Sequence, residues 1–194
     1  MKFIDGKTRC DWIKDHLLYL QYHDEEWGVP IYDDHKLFEL LVLESAEAGL
    51  SWLTILKKRA NYRLAYDNFD PEKVACYDST KEEELLMNAG IIRSKAKIIS
   101  SVQNARKFLE IQKQHGSFSN YIWNYVDHQP ILNNWNTSEE VPSRTDLSDT
   151  ICADMKNRGF TFICSKIIYA FMQAIGMVND HPSYCFRHHK NNAG

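Results

Sequence analysis

Apolar positions recur every three or four residues along most of the chain, which predicts amphipathic helices. The segment 33–50 has Leu37, Leu40 and Leu41 at this spacing, with a pair of aspartates able to cap its start and Gly49 able to end it. The same spacing predicts further helices at residues 52–59, 81–88, 93–114, 118–125, 149–157 and 165–177. Convincing alternating runs of the kind that form strands are absent, so we predict an all-α fold.

Two stretches interrupt this pattern. Residues 133–148 are rich in Asn, Ser, Thr, Glu and Pro and predict a loop. Residues 19–23 predict a turn with an aromatic side chain on either side of it, Tyr19 and Tyr22. Both tyrosines are candidates for a pocket because a tyrosine packs its ring and offers a hydroxyl, whereas we interpret the flanking Trp12 and Trp27 as core residues.

Length and charge narrow the class of protein. The 194 residues fit one domain covering 1–194, and no repeat or low-complexity tract divides them. The formal net charge of −3 excludes a polybasic binder that relies on bulk charge, but a local basic patch can still bind nucleic acid. No apolar run approaches the roughly 18 residues of a membrane span, and the N-terminus lacks the pattern of an export signal. We therefore expect a cytoplasmic protein that acts as a monomer and does not bind membranes.

Four of the cysteine and histidine residues suggest a metal site. Cys10 and His23 lie near the N-terminus, and His181 and Cys185 lie near the C-terminus with three residues between them. Two thiolates and two imidazoles would complete the tetrahedral shell of a structural zinc ion and fasten the two ends of the domain together. The alternative is two buried thiols and two ordinary histidines. A disulfide framework is not expected, because the five cysteines are sparse and odd in number.

Glu44 occupies a position on the helical stripe where the pattern calls for an apolar residue. An ionised carboxylate is rarely buried without a partner. One interpretation is a carboxylate at the edge of the stripe that pairs with an arginine. The other is a pocket residue, since Trp52 follows closely and a carboxylate beside an aromatic wall suits a flat, cationic ligand.

A basic segment follows an acidic one between residues 81 and 110. Residues 90–109 contain five basic side chains and no acidic ones, while residues 70–84 contain six acidic and two basic side chains. A short helix, the turn around Gly90 and a basic helix predict a helix-hairpin-helix element whose backbone amides bind a phosphate. The alternative is a solvated helix face.

Several motifs, taken together, resemble 3-methyladenine DNA glycosylase I, the Tag-type family. They run from about Cys10 to Cys185 in the order and spacing of that family: CDW at 10–12, YHDEEWG at 22–28, ESAEAGLSW at 44–52, LKKR at 56–59, AGIIR at 89–93, HQP at 128–130, RGF at 158–160 and MVNDH at 177–181. Two positions depart from the family pattern, at Ala46-Glu47 and at Cys164-Ser165-Lys166. The departures bear on DNA affinity and on the lesion, because residues 46 and 47 match positions that face the damaged nucleotide.

The resemblance implies a role for each matching residue. One zinc ion per chain would be bound by Cys10, His23, His181 and Cys185. The base pocket would consist of catalytic Glu44 with the base-binding residues Tyr22, Trp52 and Tyr19. Contacts to DNA would come from Gly49, Leu50, Ala89, Gly90, Ile91, Ile92 and Arg93.

The resemblance also implies an activity. The enzyme would bind double-stranded DNA, extrude 3-methyladenine and hydrolyse its glycosidic bond, leaving free base and an abasic site. Between Arg93 and Leu109 there is no Asp or Glu to activate water, and the cationic base is already a good leaving group. We therefore predict a monofunctional enzyme without a Schiff-base intermediate. The alternative is a zinc-stapled module that binds methylated bases or damaged DNA with little catalysis.

Overall fold

The computed structural model describes residues 5–13 and 16–188. Over these ranges the predicted all-α architecture is confirmed, with one pair of very short strands added. The helices are α1 (Leu17–Glu25), α2 (Asp34–Glu47), α3 (Trp52–Ala65), α4 (Pro71–Ala75), α5 (Ser79–Met87), α6 (Lys95–His115), α7 (Phe118–Trp123), α8 (Asp146–Asn157) and α9 (Ser165–Ala174). Single 3-10 turns lie at Asp67–Phe69, Asn124–Val126 and Ser138–Glu140. None of the helices in the described part of the chain is long and apolar enough to cross a membrane.

The turn predicted at residues 19–23 is wrong, because this segment lies within α1. The His16 side chain caps the helix by accepting a hydrogen bond from the backbone N–H of Leu18. The buried face of α1 consists of Tyr19, Tyr22 and His23. These residues have the spacing of one helix face, but two tyrosines and a histidine do not read as an apolar stripe.

Two further differences concern the start of α8 and a pair of short strands. Helix α8 begins at Asp146, inside the predicted loop, because Thr145 and Ser148 form a reciprocal capping box around its first turn. Strand β1 (Ile131–Leu132) pairs in parallel with strand β2 (Val178–Asn179). Strands of two residues are too short to produce a recognisable alternation in the sequence.

Helix α2 runs through the centre of the molecule. Every side chain from Leu37 to Ala46 is buried, and the helix packs against α3, α6, α7 and α9. At its N-terminal end, Phe38 contacts the stacked pair of Phe108 and Phe118, whose ring centres lie 4.1 Å apart. The rest of the helix delivers Glu44 into the interior.

The N-terminal and C-terminal segments lie side by side. The N–H of Gly28 donates to the carbonyl of Gln173, and the N–H of Ile31 donates to the carbonyl of Ile175. Gly176 permits this approach, because its φ is +69° and a Cβ atom there would lie 2.2 Å from the carbonyl carbon of Val29. The close packing of the two segments brings together side chains that are more than 150 residues apart in sequence.

Candidate functional site

The four predicted metal ligands meet in one buried cluster. The Sγ atom of Cys10 lies 3.3 Å from Nε2 of His23 and 3.4 Å from Nδ1 of His181, and Sγ of Cys185 lies 3.4 Å from each of the same two nitrogens. The four ligand atoms all fall within 4.8 Å of one another. This cluster could hold a metal ion.

The outer nitrogens of both imidazoles have their own acceptors. Nδ1 of His23 lies 2.7 Å from the Asp24 carboxylate, which is in turn held by Arg9, and Nε2 of His181 lies 3.2 Å from the carbonyl of Trp27. Each contact orients the ring so that its other nitrogen faces the cluster. Such outer contacts are the usual support of histidine ligands.

A pocket of about 400 Å³ lies next to this cluster, and all four residues of the predicted base pocket line it: Glu44, Tyr22, Trp52 and Tyr19. Helix α1 provides the tyrosines, α2 the glutamate and α3 the tryptophan. A pocket of this volume is at the small end of ligand sites and accommodates one flat heterocycle.

The Glu44 carboxylate is 5% exposed, and none of the described residues forms a hydrogen bond or an ion pair with it. Burial raises the pKa of Glu44 well above its usual value, and the nearby charge of Glu47 raises it further. The interpretation of Glu44 as an edge residue paired with an arginine is therefore wrong. An unpaired, buried carboxylate facing a pocket is a strong candidate for a ligand contact.

A ring contact and a hydrogen bond hold the aromatic wall of the pocket, which consists of Tyr19, Tyr22 and Trp52. The rings of Tyr22 and Trp52 lie 5.2 Å apart at 53°, and burial raises the pKa of Tyr22, which keeps its hydroxyl neutral. Tyr19 accepts a hydrogen bond from the N–H of Leu53 in the first turn of α3, so that its ring is fixed next to Trp52.

Other residues that line the pocket are not predicted from the sequence. Trp12 and Trp27, interpreted there as core residues, both line the pocket. So does Asp180, whose carboxylate accepts hydrogen bonds from Tyr169 and Gln173. Asp180 lies in the MVNDH motif at 177–181, in which only the histidine is recognisable from the sequence as a potential metal ligand.

Glu47 also lines the pocket, at the C-terminal end of α2. Burial raises its pKa, while the N–H of Trp52 and the charge of Lys97 partly oppose that effect. The pocket therefore has a second acidic side chain, which increases its preference for a cationic ligand.

Gly49 and Leu50 form an exposed tip beside the pocket. Gly49 has a φ of +78°, and Leu50 is 47% exposed. The ammonium of Lys97 in α6 braces the tip, since it donates to the carbonyls of Ala46 and Ala48 at 2.8 and 2.7 Å. An exposed leucine on a braced turn is suited to insertion between bases.

Three backbone N–H groups in the turn between α5 and α6 already donate hydrogen bonds within the protein. The N–H of Gly90 donates to the Asn88 side chain at 2.8 Å, that of Ile91 to the Asn88 carbonyl, and that of Ile92 to the hydroxyl of Tyr62 at 3.1 Å. These three amides are therefore not available to a phosphate in this conformation.

The first turn of α6 offers amides in their place. The Ser94 side chain does not cap this helix, and no described acceptor contacts the N–H groups of Lys95, Ala96 or Lys97. Arg93 and Lys95 are exposed next to these groups. Uncapped amides, the helix dipole and two cations together favour an anion at this end.

The fold and the pocket thus define a small helical protein with an acidic, aromatic-lined pocket beside an exposed tip. The profile of the family described as methyladenine glycosylase matches residues 12–188, and the chain belongs to that family. It is 46% identical over 177 residues to DNA-3-methyladenine glycosylase 1 of Escherichia coli, which covers 91% of this chain and 95% of that relative.

Solved structures agree with this assignment. A crystal structure of 3-methyladenine DNA glycosylase I superposes with a TM-score of 0.91 at 45% identity, covering 93% of this chain and 100% of that one. A variant of 3-methyladenine DNA glycosylase I in complex with 3-methyladenine superposes with a TM-score of 0.89 at 35% identity, covering 91% and 95% of the two chains.

Proposed function

We propose that this protein is a monofunctional DNA glycosylase that removes 3-methyladenine from alkylated double-stranded DNA. The observation that carries the proposal is the buried Glu44 carboxylate, which has no partner among the described residues and faces an aromatic pocket large enough for one base. Its relatives are named for this activity. We expect the protein to act as a monomer.

Recognition depends on the charge of the damaged nucleotide. 3-Methyladenine is cationic while it is attached to deoxyribose, whereas normal adenine is neutral. The rings of Tyr22 and Trp52 stabilise a cationic ring by stacking, and Glu44 accepts hydrogen bonds from its amino edge. Neutral adenine supplies no positive charge to offset the cost of ionising the buried Glu44, so the pocket discriminates against it.

Catalysis needs little acid assistance, because the cationic base is a good leaving group. The negative charge of Glu44 holds the extruded base, and water attacks the sugar carbon as the glycosidic bond breaks. The bonding electrons pass to the base, which leaves as neutral 3-methyladenine, and the attacking water forms the new bond to the sugar carbon and releases one proton to bulk water. Lys97 is engaged with two backbone carbonyls and is not free to form a Schiff base, which supports the monofunctional mechanism.

The metal cluster fits a structural zinc ion. With Zn–S bonds of ~2.3 Å and Zn–N bonds of ~2.0 Å, a tetrahedron has sulfur-to-nitrogen edges of about 3.5 Å. The corresponding distances here are 3.3 to 3.4 Å. Four protein ligands leave no open position for a reacting water, so the ion would stabilise the joined N- and C-terminal segments.

DNA would be bound by a helix-hairpin-helix element made of α5, the turn at 88–94 and α6. The free amides of the first turn of α6, with Arg93 and Lys95, would contact phosphates, and Ala89 and Gly90 would let the backbone approach the strand. Leu50 would fill the gap that the extruded nucleotide leaves in the stack.

One experiment tests the activity and separates it from the alternative of a binding module. Methylated duplex DNA is incubated with the protein, and released bases are separated by chromatography. We expect free 3-methyladenine and abasic sites, with no protein trapped on the DNA by borohydride. Binding of free 3-methyladenine without any release from DNA would favour the binding module, and trapping by borohydride would contradict the monofunctional mechanism.

A further inference from the structure

Phe162 has an unusual combination of backbone conformation and exposure. It lies in the connection between α8 and α9 with a φ of +55°, a left-handed conformation that bulky side chains rarely adopt. Its ring is 37% exposed, whereas Phe160 and Ile163 on either side of it are buried. A glycine or an asparagine would adopt this conformation with less strain, so packing alone does not explain an outward-facing aromatic ring here.

Helix α6 holds this connection in place. The side chain of Asn104 forms two hydrogen bonds with the backbone of Thr161, at 2.8 and 3.0 Å. The Gln103 side chain donates to the carbonyl of Gly159 at 3.0 Å. Two neighbouring amides of one helix therefore fix the backbone immediately before Phe162.

The position of the ring relates it to the tip at Gly49 and Leu50. The ammonium of Lys97, which lies 2.7 Å from the Ala48 carbonyl at the base of the tip, also lies 5.9 Å from the centre of the Phe162 ring. Lys97 belongs to the first turn of α6, where the amides proposed to contact phosphates are located. Phe162 and the base of the tip thus both lie near the Lys97 ammonium at the N-terminal end of α6.

We propose that Phe162 is a second DNA-contacting residue, whose ring packs on a base next to the extruded nucleotide while Leu50 fills the gap. The proposal rests on the proposed glycosylase function. An exposed aromatic ring can stack on any base, so the contact would add affinity for distorted duplex without reading sequence. The strained backbone is then explained as the conformation that points the ring away from the core.

The test uses Phe162→Asn, which removes the ring and keeps a residue that tolerates the left-handed conformation. Phe162→Leu retains apolar volume without an aromatic face. Leu132→Ala is the control, because it truncates a side chain in β1 that is 54% exposed and lies outside the proposed DNA surface. Each variant is measured for affinity to a duplex containing a tetrahydrofuran abasic analogue, affinity for free 3-methyladenine, and melting temperature.

We expect Phe162→Asn to weaken duplex binding about tenfold, in line with the usual contribution of one base–aromatic stack. Phe162→Leu should show a smaller loss, and Leu132→Ala should show none. Binding of the free base should stay unchanged, with the melting temperature within about 4 °C of the wild type. Equal duplex affinity in Phe162→Asn and wild type, or a parallel loss of duplex and free-base binding, would overturn the inference.

The same measurements keep the two proposals apart. If the wild type releases no 3-methyladenine but Phe162→Asn still loses affinity for the duplex, the glycosylase proposal fails and the DNA contact stands. If the wild type releases 3-methyladenine and Phe162→Asn releases it with the same kcat/KM and affinity, the glycosylase proposal stands and the DNA contact fails.

Discussion

The metal cluster and the base pocket are neighbours with opposite designs. In the cluster, the outer nitrogens of His23 and His181 have acceptors, and the four inner ligand atoms all lie within 4.8 Å of one another. In the pocket, Glu44 is buried without a hydrogen-bond or ion-pair partner among the described residues. The metal cluster, which we call the closed region, is complete within the chain once a metal is bound. The pocket, which we call the open region, is incomplete until a cationic ligand enters.

Helix α1 belongs to both regions, because consecutive residues point into different sites. Tyr22 lines the pocket, and His23 belongs to the metal cluster. Successive residues on a helix are separated by about 100°, so a single turn can serve two sites. The metal cluster thereby fixes the helix that carries the aromatic wall of the pocket.

The largest expected effect comes from removing one ligand of the closed region. Cys185→Ser should lower zinc content from about one per chain to well below that, because a shell of three ligands binds weakly. The melting temperature should fall by about 10 °C or more, since metal binding contributes to folding. Metal analysis and thermal unfolding give both values. Cys152→Ser is the matched control, since Cys152 is also a buried thiol but lies outside the cluster, and it should retain the metal.

The second-largest effect is expected when a substitution removes the buried charge of the open region. Glu44→Gln should weaken binding of 3-methyladenine tenfold to a hundredfold, since a hydrogen bond to a charged group is worth ~1.5–3 kcal/mol. The variant should nevertheless be more stable than the wild type at high pH. The folded-state pKa of Glu44 is raised, so the stability contributed by its protonated form is lost as pH rises through that pKa.

Glu39 on the same helix provides the control for this pH dependence. Burial alone would raise its pKa, but Arg59 and Arg63 outweigh burial and lower it. Its contribution to stability is therefore present at neutral pH and lost as pH falls through the folded-state pKa. Urea unfolding at pH 3, pH 5 and pH 8 should show that Glu44→Gln gains on the wild type between pH 5 and pH 8, whereas Glu39→Gln loses on it between pH 3 and pH 5. The same sign for both variants would contradict the assignment of Glu44 as an unpaired carboxylate.

A smaller effect is expected at Glu47, which tunes the open region. Its negative charge raises the pKa of Glu44, so Glu47→Gln should lower that pKa. Binding of a cationic nucleotide requires ionised Glu44, and the acid limb of the pH profile for base release should therefore move to lower pH. Profiles of kcat/KM for the two proteins provide the measurement. An acid limb that stays in place would show that Glu47 does not act on Glu44.

The smallest effect concerns the approach of DNA to the open region. Arg93→Ala should weaken duplex binding for all sequences alike and reduce the slope of log Kd against log salt by about one. Binding of free 3-methyladenine should be unaffected, because Arg93 does not line the pocket. Titrations between 50 and 200 mM salt test this expectation. An unchanged slope would remove Arg93 from the phosphate contacts.

The sequence predicts the closed region better than the open one. Cysteine and histidine are rare residues with a specific metal chemistry, so four of them suggest a site even when they are far apart. Glu44 was recognisable because a carboxylate interrupts an apolar stripe. Trp12, Trp27 and Asp180 were not, because tryptophans also fill cores and a lone aspartate carries no signal of its own.

The phosphate contacts illustrate a different limit. The sequence places Gly90 in a turn between two helices, but it cannot tell which amides the turn uses internally. Asn88 and Tyr62 occupy the amides of residues 90–92, which transfers the proposed contact to the start of α6. The short strands and the early start of α8 were missed for a similar reason, because tertiary contacts and a local cap decide them.

We expect Glu44 in the open pocket to drive release of the damaged base, whereas the closed cluster only supports the fold. The most direct test is the single-turnover release of 3-methyladenine from a defined duplex by the wild type and Glu44→Gln, prepared with equal zinc content. We predict release by the wild type and a rate tenfold to a hundredfold lower in the variant, with an unchanged amount of bound metal. Equal release rates in the two proteins would contradict the claim.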